Sequence, residues 1–222
     1  MKFLFILIVM GCPLFSTCQE IRRNPNGDGT FTENHYVDNV IKKQKTFYAS
    51  GNIRSETNYE SEDPNHGTYR EWYDNGQIRE ERNLDGNQEG IAKGWFNDGR
   101  LRFKTAYTEG IETTKAYFPS GQLSRTYSKT YNKLNGKDTR WHENGQLKQE
   151  SNYLDGKSHG TQKFWNEEGV LISEGASDMG KRIYAKLYYD SGTLKMEVNY
   201  TQNASTPYIK CFDEYGNLKD CQ

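Results

Sequence analysis

From residue 40 onward the apolar positions follow neither a helical period nor long runs. A large aromatic is instead followed four residues later by glycine, and two residues after that by an aliphatic side chain. The frame reads Phe47…Gly51…Ile53, Trp72…Gly76…Ile78, Trp95…Gly99…Leu101 and Tyr117…Gly121…Leu123. It continues as Trp141…Gly145…Leu147, Trp165…Gly169…Leu171, Tyr188…Gly192…Leu194 and Phe212…Gly216…Leu218. Successive glycines are 25, 23, 22, 24, 24, 23 and 24 residues apart. Eight copies at this period predict a repeat array, each unit a strand, a tight turn, a strand and a looser return loop. The fold class expected is all-β, an array of antiparallel hairpins.

The turn can be specified. A two-residue type I′ hairpin suits Asn75-Gly76, Asp98-Gly99 and Asn144-Gly145, but not Ser50, Ser120, Glu168, Ser191 or Tyr215 before their glycines. A three-residue loop, a type I turn with glycine in the left-handed position, requires only the glycine. Pro119 supports it, since it falls at the second position of that turn, where proline is favoured. The register then sets each aromatic opposite its aliphatic partner, Trp72 against Ile78 for example. Counting by two places Arg54 and Glu56, Arg79 and Glu81, Lys148 and Glu150, and Lys195 and Glu197 on the opposite, solvated face. Basic residues recur two before the aromatic, from Lys45 and Arg70 to Lys186 and Lys210, and predict a ladder of ion pairs. The aromatics after the main row, with the arginines beyond the turn, form the candidate partner-binding face: Tyr48, Arg54, Tyr73, Arg79, Phe96 and Tyr189.

Composition narrows the function. Hydrophobic residues make up 33% and mean hydropathy is -1.01, a balance that would suit disorder without the 14% aromatics and the regular spacing. With 29 basic and 30 acidic residues, net charge is -1, which gives no electrostatic case for nucleic acid or an anionic membrane. Lys2 and the apolar run 3–10 have signal-peptide form and are too short to span a bilayer, so residues 1–18 are expected to direct export. Cleavage after Cys18, lipidation of that cysteine or of Cys12, which would leave a very short signal, and an uncleaved anchor all stay open. Export places the chain in the periplasm, on the outer membrane or outside the cell, with a lipid anchor as its sole link to a membrane. Residues 19–39 read as a polar lead-in and 40–222 as the repeat domain. Asn24 to Gly29 is loop chemistry that superficially resembles a calcium loop, but His35 stands where the closing ligand belongs. Cys211 and Cys221 flank the last turn and are expected to pair in an oxidising compartment.

Repeats of the form Tyr-x-x-Gly-x-x-x-Gly-x-x-x-x-Trp-Tyr-x-x-Gly-x-Leu, seen best from Tyr153 to Leu171 and from Leu84 to Leu101, resemble the variant MORN repeat of the YwqK-type antitoxin family. The resemblance implies an elongated, twisted run of hairpins, one per repeat. It also implies a non-enzymatic role, with no cofactor, in which a toxin is neutralised by direct contact. An exported member implies an immunity-like role in the cell envelope; a structural envelope component or glycan-binding module is the alternative. The chain has no Gly-x-Ser-x-Gly, His-Glu-x-x-His or phosphate-loop motif, and the four histidines do not form a metal-ligand pattern. The glutamates recur with the repeat, as a solvated row does, and the tryptophan row reads as packing rather than a sugar platform.

Overall fold

The computed structural model describes residues 7–10 (backbone), 19–61, 63, 65–84, 90–200 and 206–221. The cleavage and lipidation readings at Cys12 and Cys18, and the return loop over 85–89, lie outside them. The chain divides into two compact units, residues 1–110 and 111–222. In the first, the strands are β1 (Leu7–Met10), β2 (Gln19–Pro25), β3 (Phe31–Val37), β4 (Val40–Phe47), β5 (Ile53–Tyr59), β6 (Gly67–Trp72), β7 (Ile78–Leu84), β8 (Gly90–Trp95) and β9 (Leu101–Thr108). The second holds β10 (Ile111–Tyr117), β11 (Leu123–Thr130), β12 (Lys133–Leu134), β13 (Gly136–Trp141), β14 (Leu147–Leu154) and β15 (Lys157–Trp165). It ends with β16 (Leu171–Asp178), β17 (Lys181–Tyr188), β18 (Leu194–Asn199), β19 (Tyr208–Phe212) and β20 (Leu218–Lys219). Within each unit, strands neighbouring in sequence pair antiparallel, except around β12, where β11 pairs with both β12 and β13.

The repeat turn has the expected three-residue form. Tyr73 N donates to Gln77 O at 2.8 Å and Gly76 N to Tyr73 O at 2.9 Å. The same two bonds recur at Gly51, Gly99, Gly121, Gly145, Gly169, Gly192 and Gly216. All eight glycines lie at φ between 81° and 92°, where a Cβ would clash with the backbone. The return loops are tighter than the sequence suggests. Asp38-Asn39, Tyr131-Asn132, Asp155-Gly156 and Met179-Gly180 each have two successive positive φ values. That is the type I′ signature, and its twist matches that of the flanking strands.

The polar lead-in, residues 19–39, holds two paired strands. Asn24 and Pro25 lie in β2, and β2 and β3 form a ninth hairpin. Its turn repeats the pattern, with Asn26 N donating to Thr30 O at 2.8 Å and Gly29 at φ 85°. The frame escapes recognition because Pro25 stands at the aromatic position and Phe31 at the aliphatic one, paired across the turn.

A second difference reorganises the surface. Trp72 pairs with Ile78, but Glu71 pairs with Glu80, so Arg79 is an extra residue in β7. The same bulge puts Arg54, Arg102, Ser124, Lys148, Ile172 and Lys195 out of step. A bulge of one residue exchanges the faces of everything after it. Glu56, Glu81, Glu150 and Glu197 therefore share the aromatic face, contrary to the count by two. In unit 1 they complete the cross-strand row Arg23–Glu33–Lys45–Glu56–Arg70–Glu81–Lys93. In unit 2 the row runs Glu150–Lys163–Glu174–Lys186–Glu197–Lys210. Alternation of sign makes each row a ladder of ion pairs, such as Arg23–Glu33 at 2.7 Å, Lys93–Glu81 at 3.5 Å and Lys186–Glu174 at 3.7 Å. Such pairs contribute about 0–1 kcal/mol each, so their main effect is to leave this face neutral and hydrated.

Candidate binding surface

Opposite the ladder, the registers of unit 2 define a second face. One row runs Arg125–Arg140–Gln149–Phe164–Ser173–Leu187–Met196–Cys211. The next runs Asp138–Ser151–Gln162–Gly175–Ala185–Val198–Ile209. From β14 to β19 neither row holds a charged side chain, whereas the ladder behind them is charged at every step. Val198 is buried, but Leu187 and Ile209 are 36% and 44% exposed, an outlay of apolar surface beside polar Gln149 and Ser173. Cys211 is followed in the first row by Lys219 of β20, where the row regains a charge, and is disulfide-bonded to Cys221, their Cα atoms 5.3 Å apart.

At the other end of these rows stands a polar cluster. The Asp138 carboxylate is 1% exposed. Arg125 grips it with two bonds of 2.8 Å, from Nε to Oδ1 and from Nη2 to Oδ2. Arg140 adds one bond of 3.3 Å, from Nη2 to Oδ2. The Tyr127 ring lies 4.2 Å from the Arg125 guanidinium carbon. The bonds to Asp138 push the Arg125 pKa above its ordinary value despite burial. Ser151, also 1% exposed, accepts a bond from Gln149 Nε2 at 2.8 Å. Two guanidiniums thus serve one carboxylate. Arg140 Nε is buried and has no hydrogen-bond partner.

Sequence reasoning passes over this cluster, although a signal exists. Three residues before the aromatic the copies read Gln44, Tyr69, Ala92, Thr114, Asp138, Gln162, Ala185 and Ile209, so Asp138 is the lone charge. The residues expected to face a partner also link neighbouring hairpins. The Tyr48 hydroxyl donates to Trp72 O at 2.8 Å, Tyr73 to Trp95 O at 3.0 Å and Tyr189 to Phe212 O at 2.9 Å. His142 takes the same role through Nε2, 2.9 Å from Trp165 O. Arg54 and Arg79 lie over the Tyr48 and Tyr73 rings, each at 5.7 Å. Phe96 is half-buried and carries no hydroxyl for such a bond. Each of these bonds fastens one repeat to the next for about 0.5–1.5 kcal/mol.

Two further groups show how the aromatic face handles charge. Glu33 is 6% exposed, and burial alone would push its carboxyl up. The bonds from Arg23 and His35 more than offset this and hold it below the ordinary value. Tyr188 is pushed up to about 12 by burial and by its hydroxyl's bond to Glu174 at 2.9 Å. Among the described residues no three His, Cys, Asp or Glu side chains converge as a metal site would require.

No curated protein matches the chain. Five segments, residues 42–61, 65–85, 134–155, 158–176 and 184–202, match the MORN repeat variant. The hairpins at Gly29, Gly99, Gly121 and Gly216 lie outside the matched segments but make the same turn. In its matched segments the chain is similar to the MORN repeat variant, a non-catalytic kind of scaffold that binds proteins or membranes.

Proposed function

We propose that this chain is a non-enzymatic scaffold that binds another protein through the second face of residues 111–222. The observation that carries the reading is the contrast between its two faces. One satisfies its charges internally, while the other spans β14 to β19 in two rows without a charge and leaves Leu187 and Ile209 exposed. A solvated face has no need of that composition; a face covered by a partner does. The sharpest form of the proposal is neutralisation of a toxin by direct cover, as in the antitoxin branch that the repeat resembles. The signal-like segment and the Cys211–Cys221 bond fit an exported protein in an oxidising envelope.

Capture with the full chain, crosslinked in its native cells and followed by radical footprinting, tests this. The expected result is one stoichiometric protein, with protection of Phe164, Leu187 and Met196. Recovery of no protein, recovery of glycan alone, or protection confined to the charge ladder would overturn it.

A further inference from the structure

We propose that Arg140 is the recognition residue for a side-chain carboxylate on the protein partner, one flanked by apolar residues. The inference rests on the second face being the covered one and adds the chemistry at its edge. Asp138 needs one guanidinium and has two. Arg125 alone saturates both carboxylate oxygens in a bidentate pair at 2.8 Å. The single Arg140 bond, at 3.3 Å, is the weaker and redundant one. Arg140 can therefore leave without stranding Asp138, whereas Arg125 cannot.

Arg140 Nε is also the one buried side-chain nitrogen or oxygen among the described residues without a partner. An orphaned charged donor is a rare thing to retain and calls for an acceptor. The rest of the Arg140 side chain is 41% exposed, so the guanidinium can turn outward and offer its Nε–Nη2 fork. A carboxylate fits that fork in plane, with two parallel bonds. The charge balance around Asp138 agrees. There Arg125, Arg140 and Lys129 oppose Asp138 and Glu112, and Lys129 bonds Glu112 at 3.3 Å, which leaves one positive charge at Arg140; Arg182 and Lys219, paired with Ser177 and Cys211, stand at other margins of the face. What lies beside it in the same row is Gln149 and then Phe164, Ser173, Leu187 and Met196. One anionic group followed by apolar ones is the complementary pattern.

The test uses hexanoate, a carboxylate with an apolar tail, in an NMR titration of the full chain that follows the arginine Nε–Hε signals and the methyl groups. Hexanoate should move the Arg140 signal saturably, together with the Leu187 and Met196 methyls, and move Arg125 much less. Hexanol should move the methyls alone. Arg140→Lys keeps the charge but loses the fork, and should weaken hexanoate binding about tenfold with thermal melting unchanged. The assignment is overturned if Arg140 does not respond, if all arginines shift together without saturating, or if Arg140→Lys binds equally well. Hexyl phosphate binding tighter than hexanoate would also overturn it, by pointing to a phosphate ligand. These outcomes are separate from capture of a partner, which tests the face as a whole.

Discussion

Replacing Asp138 with alanine is expected to lower the unfolding free energy by about 3–5 kcal/mol, measured by urea denaturation. The carboxylate is 1% exposed and is the counter-ion of two arginines, so its loss leaves two cations facing each other across the β11–β13 pair. The arginine side chains are 30% and 41% exposed, and that water access draws the expected effect toward the lower end. The cost comes mainly from the stranded charges rather than from the bonds lost. Replacing both members of the tighter pair, Arg125→Met with Asp138→Leu, should accordingly recover most of the loss. A loss below about 1 kcal/mol for the single change would mean that the cluster is hydrated and contributes little.

The second large effect is expected at Gly67, where alanine should cost about 2–4 kcal/mol. A Cβ there would sit 1.9 Å from Asn58 O, 2.9 Å from Asn58 C and 3.1 Å from Tyr59 Cα. These are backbone atoms of β5, so the strand itself must move. The residue also lies at φ +150°. Gly51→Ala provides the comparison, because φ is +92° and, beyond its own chain neighbours, nothing lies within 4 Å of its Cβ. It should show conformational strain alone, about 1–2 kcal/mol. Equal losses in the two variants would contradict the clash at Gly67.

How far the sequence carries the fold depends on whether a rule is local. The three-residue turn was legible because glycine is constant at its third position and Pro119 suits its second. The aromatic–aliphatic pairing followed from it, and all eight pairs are formed. The bulge was not legible. Its residues are Arg54, Arg79, Arg102, Ser124, Lys148, Ile172 and Lys195, which share no chemistry, and an extra residue there leaves no mark on the apolar pattern. Missing it moves Glu81 to the wrong face, away from Arg70, although the ladder itself is predicted from the period. The β2–β3 hairpin was masked by Pro25 and Phe31 in exchanged roles. Tyr48 and Tyr73 looked free because their carbonyl partners lie 24 and 22 residues away, in the next repeat.

The site was half visible. The periodic lysines and arginines led correctly to ion pairs, since their glutamate partners recur at the same period. The binding surface instead rests on departures from periodicity. Asp138 is charged where other copies are neutral, and Phe164, Leu187 and Cys211 are apolar where Glu71 and Arg140 are charged. Repetition identifies the scaffold, and the exceptions to it mark the place where one part of that scaffold differs from another.

The claim to test is that the face with the two uncharged rows, and not the ladder face, holds the partner. Its most direct test compares the affinity of the captured protein for two single variants, Leu187→Glu on the uncharged face and Thr161→Glu on the ladder face. A carboxylate forced into a covered apolar row should weaken binding by about 30-fold or more, while the same charge at exposed Thr161 should change it less than about twofold. Equal weakening by both variants, or weakening by Thr161→Glu alone, would contradict the claim.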